Sequence, residues 1–226
     1  MYHEASRRAE QGERTVSTDE MPGVQALERK HPGLPLVPGQ VERREVASIR
    51  HGTRAFILSR FLLSRDGVRG QVVAPSVGPT RTEADFLAHL HGVVATDPTA
   101  TRWHSVTDHL NTHPSAALVQ WVAHRSGIPD DLGVKGESGI LRSQATRATV
   151  LNDPTHRRVF HSTPKPASWM NQIEIWLSLL TRTLLRRASF TSINDLTTRV
   201  LAFIAYYNQT MARPFKWTYQ GKALAD

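Results

Sequence analysis

Apolar residues along the chain recur with two different periods, and the switches between them separate strands from helices. Thr15 to Asp19 (TVSTD) is a short β-prone run closing on the adjacent acids Asp19 and Glu20, with turn signals at Pro22 and Gly23, and it predicts a first strand. The stretch 31–40 (HPGLPLVPGQ) carries three prolines and two glycines and reads as a loop. Val41 to Ile49 and Arg54 to Leu63 are extended segments parted by His51, Gly52 and Thr53, and Gln71 to Ala74 adds a third β-prone piece. An antiparallel meander is predicted.

The period then changes. Thr82 to Val94 opens with a capping threonine and places Phe86, Leu87, Leu90 and Val94 at helical spacing. His104 to Asp108 is a further strand closing on an acid, and Ala116 to His124 a second helix, ended by Gly127 and Pro129. Arg157 to Ser162 predicts the last strand. Pro164 and Pro166 break the chain before a helix from Trp169 to Arg187, whose stripe is Ile173, Trp176 or Leu177, Leu180 and Leu184. A closing helix over Ser192 to Gln209 buries Leu196, Val200, Phe203, Ile204 and Tyr207.

Two stretches lack such a pattern. Residues 1–14 are polar, with no apolar stripe wide enough to bury, and read as a charged, solvated N-terminal arm or the tail of a preceding domain. Leu132 to Asp153 reads as an insertion. The remainder, 15–226, is one α/β domain, a mixed sheet with helices around it, a size that 226 residues suit.

Charge adds a partner class. With 28 Lys and Arg against 20 Asp and Glu the formal charge is +8, which favours a polyanion. The absence of cysteine excludes disulfides, thiolate zinc sites and cysteine nucleophiles, so any metal must sit on oxygen or imidazole. Neither a signal peptide nor an apolar run of membrane length appears, so a cytoplasmic protein without membrane partners is expected.

The acids then define candidate chemistry. Breaking a phosphodiester with two divalent ions requires two or three carboxylates at one point, because magnesium takes hard oxygen ligands. Asp19 ends the first strand, Asp108 ends the strand after the crossover helix, and Glu174 lies in the first turns of the helix after the last strand. If the first two strands are parallel neighbours, their carboxyl ends bring Asp19 and Asp108 side by side, with Glu174 closing the cluster. Each acid alone is an ordinary surface carboxylate; it is the matched placement of three that carries weight. Glu20 competes with Asp19, but alternation sends the two to opposite faces.

At these residues the chain resembles the IS630 family of insertion-sequence transposases, within the IS630-Tc1-mariner group of DDE enzymes. Six blocks carry the likeness in order: STDEMPGVQALER around Asp19, ERREVASIRHGT at 42–53, GPTRTEADFLAHL at 78–90, VTDHLNTH around Asp108, TPKPASWMNQIEIWLSLLTR around Glu174, and YYNQTMARPFKWTYQGK. His109 stands where the family usually has Asn, and Pro166 where it usually has His. The resemblance implies an RNase H-like fold with a five-stranded sheet, its first and fourth strands adjacent, and assigns Asp19, Asp108 and Glu174 as the catalytic acids and metal ligands. It implies two Mg2+ ions, with Mn2+ as substitute, and double-stranded DNA as partner, both transposon ends and target. The implied activity is hydrolysis and strand transfer in cut-and-paste transposition. Members normally carry N-terminal helix-turn-helix units, so a separate helix-turn-helix partner chain, a homodimer, and a truncated, inactive remnant that only binds DNA all stand as alternatives, as does a resolvase-like nuclease.

Further residues are candidates for DNA contact. The family has a histidine at the position of His113, which implies a role near the scissile phosphate; a bland loop histidine is the alternative, and a zinc pair with His109 fails for want of the HExxH glutamate. Lys165 and Trp169 are placed to clamp or stack on an extruded base, against a loop-anchoring role for Trp169. Arg182 and Arg186 follow Glu174 on one helix and suit phosphate contacts, against a solvated helix end where positive charge is favoured anyway.

Overall fold

The computed structural model describes residues 4–31, 38, 47–63, 70–108, 115–128, 131–164 and 170–213. Its strands are β1 (Arg14–Arg29), β2 (Ser48–Leu63), β3 (Val72–Gly78), β4 (Trp103–Thr107) and β5 (Arg158–Ser162). They form one sheet in the order β3-β2-β1-β4-β5. β1 with β2 and β2 with β3 are antiparallel, whereas β1 with β4 and β4 with β5 are parallel. The expected mixed five-stranded sheet is present, with the first and fourth strands adjacent.

β1 and β2 are each 16 residues long and run straight through the places where turns were predicted. Pro22 offers no N–H and Gly23 sits at φ 65°, yet the chain absorbs both as a bulge between Met21 and Val24 rather than reversing. A partner strand of equal length makes the bulge the better solution, since a reversal would forfeit the pairs from Val24–Arg54 to Arg29–Ser48. Residues 41–46 of the predicted Val41–Ile49 segment lie outside the described residues.

Among the described residues six α-helices surround the sheet: α1 (Ala5–Glu10), α2 (Glu83–Ala95), α3 (Ala116–Ser126), α4 (Gln144–Leu151), α5 (Gln172–Leu180) and α6 (Ile193–Thr210). Alternation along β2 sorts them into two layers. Phe56 and Leu58 bury against α5 and α6 through Ile173, Trp176, Leu180, Leu196, Val200 and Ile204, whereas Ile57 between them packs with Phe86, Leu90, Leu118 and Val122 of α2 and α3. Local sequence sets the helix ends. Thr82 and Asp85 form a reciprocal capping box on α2, Ser115 caps α3, and Gly127 closes α3 in the left-handed conformation at φ 68°.

Two stretches without a pattern in the sequence are packed. The segment 132–153, read as an insertion, is not loose: Leu132, Leu141 and Leu151 are buried with α3, Ile57 and Phe160. These three leucines lie nine or ten apart and show no local period, and the tight loop depends on Gly133, where an added Cβ would stand 2.3 Å from the Ser138 carbonyl oxygen. The charged arm is not solvated either. Ala5 and Ala9 of α1 are buried, with Ala5 against Leu62 and Val106. A stripe made only of alanine is too weakly apolar to register as a face.

The α2 layer also buries a polar chain. The Thr18 hydroxyl lies 2.7 Å from Ser59 Oγ, which lies 2.8 Å from His89 Nε2, and Ser76 Oγ is 3.0 Å from His89 Nδ1. His89 is 1% exposed, and desolvation pushes its pKa down to about 4. In the unfolded chain the imidazole takes a proton near pH 6.5, so stability is full above that pH and falls as the pH drops toward 4. The loss attributable to His89 reaches about 3 kcal/mol. Thermal melts at pH 7.5 and 4.5 are expected to show His89→Gln less stable than the parent at the higher pH but losing less on acidification; equal losses would contradict this.

Candidate active site

β1 and β4 pair in parallel from Arg14–Trp103 to Ser17–Val106, and Asp108 directly follows β4, whereas Asp19 does not end the first strand as expected, because β1 continues through its bulge to Arg29. The register pairs Thr15 with His104 and Ser17 with Val106; carried two residues further, it sets Asp19 beside Asp108. The last observed pair is Ser17 with Val106, where neighbouring strands are about 4.8 Å apart. Asp19 is 7% exposed, its Oδ1 accepting the Glu20 N–H at 2.7 Å, and Asp108 is half-buried.

Alternation decides between the adjacent acids. Glu20 pairs across the strands with Ile57 and turns toward the α2 side, where Arg81 donates to Oε2 at 3.0 Å. Asp19 pairs with Leu58 and shares a face with Ser17, the face covered by α5. Glu20 is therefore engaged on the opposite side of the sheet.

α5 is fastened to β1 two residues before Asp19. Asn171 occupies the N-cap position of α5, but its side chain does not cap the helix. Its amide donates to the Thr18 carbonyl at 3.0 Å, and its carbonyl oxygen accepts from the Ser17 hydroxyl. Ser17 in turn accepts the Ile173 N–H at 2.8 Å, so a serine of the sheet caps a helix 156 residues away. Both Ser17 and Asn171 are fully buried. Gln172, next in sequence, accepts from Arg60 at 3.2 Å, whose guanidinium also donates to the Gly70 and Arg213 carbonyls.

Glu174 stands in the first turn of α5, half-buried, on the same side of the sheet as Asp19. It lines an open hollow of about 380 Å³ with Met21, Ser178, Arg182 and Arg186. The predicted helix to Arg187 is interrupted: α5 ends at Leu180 and a π turn covers Thr181–Leu185, with the Arg186 N–H on the Thr181 carbonyl at 2.9 Å. Thr181 bonds back to the Leu177 carbonyl at 2.9 Å, a contact that competes with the regular ladder. The wider turn lags behind α-helical rotation and brings exposed Arg186 round to the side of Glu174.

Among the described residues no group of three or more His, Asp or Glu side chains is set to hold a metal ion, and Asp19, Asp108 and Glu174 do not form such a group. His109, His113, Lys165 and Trp169 lie outside the described residues. The Ser17–Asn171 fastening was not anticipated; an Asn three residues before Glu174 signals a helix start, but nothing local shows that its side chain is spent on a strand.

Sheet order, parallel β1–β4 pairing and helices on both faces define an RNase H-like α/β fold. A family model described as DDE superfamily endonuclease matches residues 16–197, and the chain belongs to that family. Among solved structures it resembles the Mos1 mariner paired end complex with Mn, at a TM-score of 0.50 and 13% identity, over 89% of this chain and 51% of that one. It also resembles a pre-cleavage Mos1 transpososome, at a TM-score of 0.52 and 12% identity, over 91% of this chain and 56% of that one. The chain thus spans about half the length of these structures. No curated protein matches its sequence. No helix among the described residues is long and apolar enough to cross a membrane.

Asn171→Ala removes a buried amide that holds α5 on β1 and leaves the Ser17 hydroxyl without its acceptor. Urea unfolding is expected to show a loss of about 2 kcal/mol, since stranding a buried polar partner costs about 1–3. Thr210→Ala, on an exposed helix end, should change stability little; similar losses in the two variants would refute the fastening.

Proposed function

We propose that this chain is the catalytic core of an IS630-type DDE transposase that cuts DNA phosphodiesters at transposon ends and joins the freed 3′ hydroxyl to target DNA. The observation that supports the reading is the parallel β1–β4 register, which ends at Ser17–Val106, two residues short of Asp19 and Asp108, in a chain of the DDE endonuclease family.

The donor chemistry fits Mg2+, with Mn2+ as substitute: Asp19, Asp108 and Glu174 offer only hard carboxylate oxygen, and magnesium is commonly held by one or two carboxylates together with water and substrate phosphates. When bound, a pair of such ions activates the attacking oxygen and stabilises the leaving one. Asp19 and Asp108 supply the ligands from the rigid sheet, and Glu174 supplies a third from α5. Burial of Asp19 limits competition from bulk water for its carboxylate. Arg182 and Arg186, exposed beside Glu174, take backbone phosphates and position the strand without reading sequence. Lys165, Trp169 and His113, which lie outside the described residues, are proposed from the sequence as further DNA contacts. The partners proposed are transposon-end and target duplexes, a second copy of this chain, and a separate helix-turn-helix chain for end recognition.

A second reading, a remnant that binds DNA without cutting it, is favoured by the absence of a three-acid group among the described residues. One assay separates the two. With Mg2+ and supercoiled plasmid, the parent is expected to nick, Asp19→Asn, Asp108→Ala and Glu174→Gln to lose at least about a hundredfold in rate, and Glu20→Gln to retain most of it. Equal rates in the parent and Asp108→Ala would end the catalytic reading and leave the remnant.

A further inference from the structure

A second concentration of positive charge lies away from these acids, on the α2–α3 face and at the opposite end of the parallel strands. The strands β4 and β5 are five residues long, which puts their two ends about 16 Å apart. At their amino ends, the last turns of α2 and α3 enclose a hollow of about 430 Å³ lined by His91, Trp103, Trp121, Arg125, Arg157 and Arg158.

The three arginines converge without compensation. Among the described residues no carboxylate pairs with any of them, and Asp97, which also lines the hollow, is engaged by the buried Arg14 in an ion pair and by Thr99 at 2.7 Å. Arg158 lies over the Trp121 ring, its guanidinium carbon 4.1 Å from the centroid, and His91 packs on the same indole at 4.8 Å. That stacking holds the guanidinium in place. Its Nε is buried and makes no hydrogen bond. Burial, then the charges of Arg125 and Arg157, push the Arg158 pKa down to about 10. A favourable helix-end dipole accounts for Arg125 in the last turn of α3, but not for Arg157 and Arg158, which open a strand. Like charges held together in a semi-enclosed space cost energy that an entering anion recovers.

We propose that this hollow is a second DNA-binding site that takes backbone phosphates of a duplex segment, with Arg158 held by Trp121 and Arg125 and Arg157 reaching from the rim. The choice of duplex DNA over other phosphates rests on the reading of the chain as a DNA-cutting enzyme and on its net charge of +8. Because the hollow and the carboxyl edge occupy different faces and different ends of the sheet, a segment held here is distinct from the one presented to Asp19 and Asp108. Binding without base contacts would hold DNA irrespective of its sequence.

The test is the affinity of the full chain for a short labelled duplex of arbitrary sequence, without divalent metal, over a salt series. Arg125→Ser/Arg157→Ser, both exposed, should keep the parent melting temperature, lose about tenfold in affinity and flatten the log–log salt slope by about 1.8, two phosphate contacts' worth. Arg158→Gln should weaken binding in the same direction. Thr210→Ala, exposed and outside both the hollow and the proposed active site, should bind like the parent. If the double variant keeps the parent affinity and slope, the proposal is wrong, whatever the nicking assay shows. If millimolar inorganic phosphate raises the melting temperature of the parent but not of the double variant while duplex affinity is the same in both, the hollow takes free phosphate and the DNA proposal is likewise overturned. If the double variant binds duplex poorly although the parent never nicks, the hollow stands and the transposase reading falls.

Discussion

The arrangement of the carboxyl edge depends on one buried exchange of hydrogen bonds, in which Ser17 of β1 caps α5 and Asn171 of α5 bonds back to β1. A helix N-terminus leaves N–H groups that must find partners, and a strand under a helix has polar groups that water cannot reach. Each element answers the other's need, which fixes both the depth of α5 on the sheet and its rotation. Glu174, three residues after Asn171, takes its place from that fastening, and Ser17, two residues before Asp19, takes its place from the same face of β1.

The apolar layer gives the fastening its strength. Trp176 is 2% exposed and packs edge-on to Tyr207 at 5.8 Å, below Phe56 and Leu58 of the sheet. Buried area of this size holds α5 in place generally, but it is indifferent to small slides along the strand. The directional bonds at Asn171 remove that freedom.

The sequence makes the layout of this fold legible wherever a single element carries its own signal. The Thr82 box, the Ser115 cap and the left-handed Gly127 mark their helices without reference to the rest of the chain. Asp108 is legible as an acid at a strand end, whereas Asp19 lies inside a strand that continues to Arg29; the alternation that separates Asp19 from Glu20 follows from the strand period. What escapes is whatever belongs to two distant segments at once. Pro22 and Gly23 read as a turn because the equal partner β2 is invisible locally. Leu132, Leu141 and Leu151 have no period because their neighbours are α3, Ile57 and Phe160. The π turn after Leu180 has no signature in its own residues, and the three arginines around Trp121 come from a helix end and a strand start more than 30 residues apart.

The same dependence on distance orders the chain in time. The β1–β2 hairpin closes early, whereas β4 must cross back beside β1 and α5 must return across 154 residues to reach Ser17, the slow, non-local kind of closure. During synthesis, then, β1 and β4 are both complete before α5 exists to dock on them. Until Asn171 arrives, the Ser17 hydroxyl has only water as its partner, so the face of β1 beneath α5 stays wet until that helix docks.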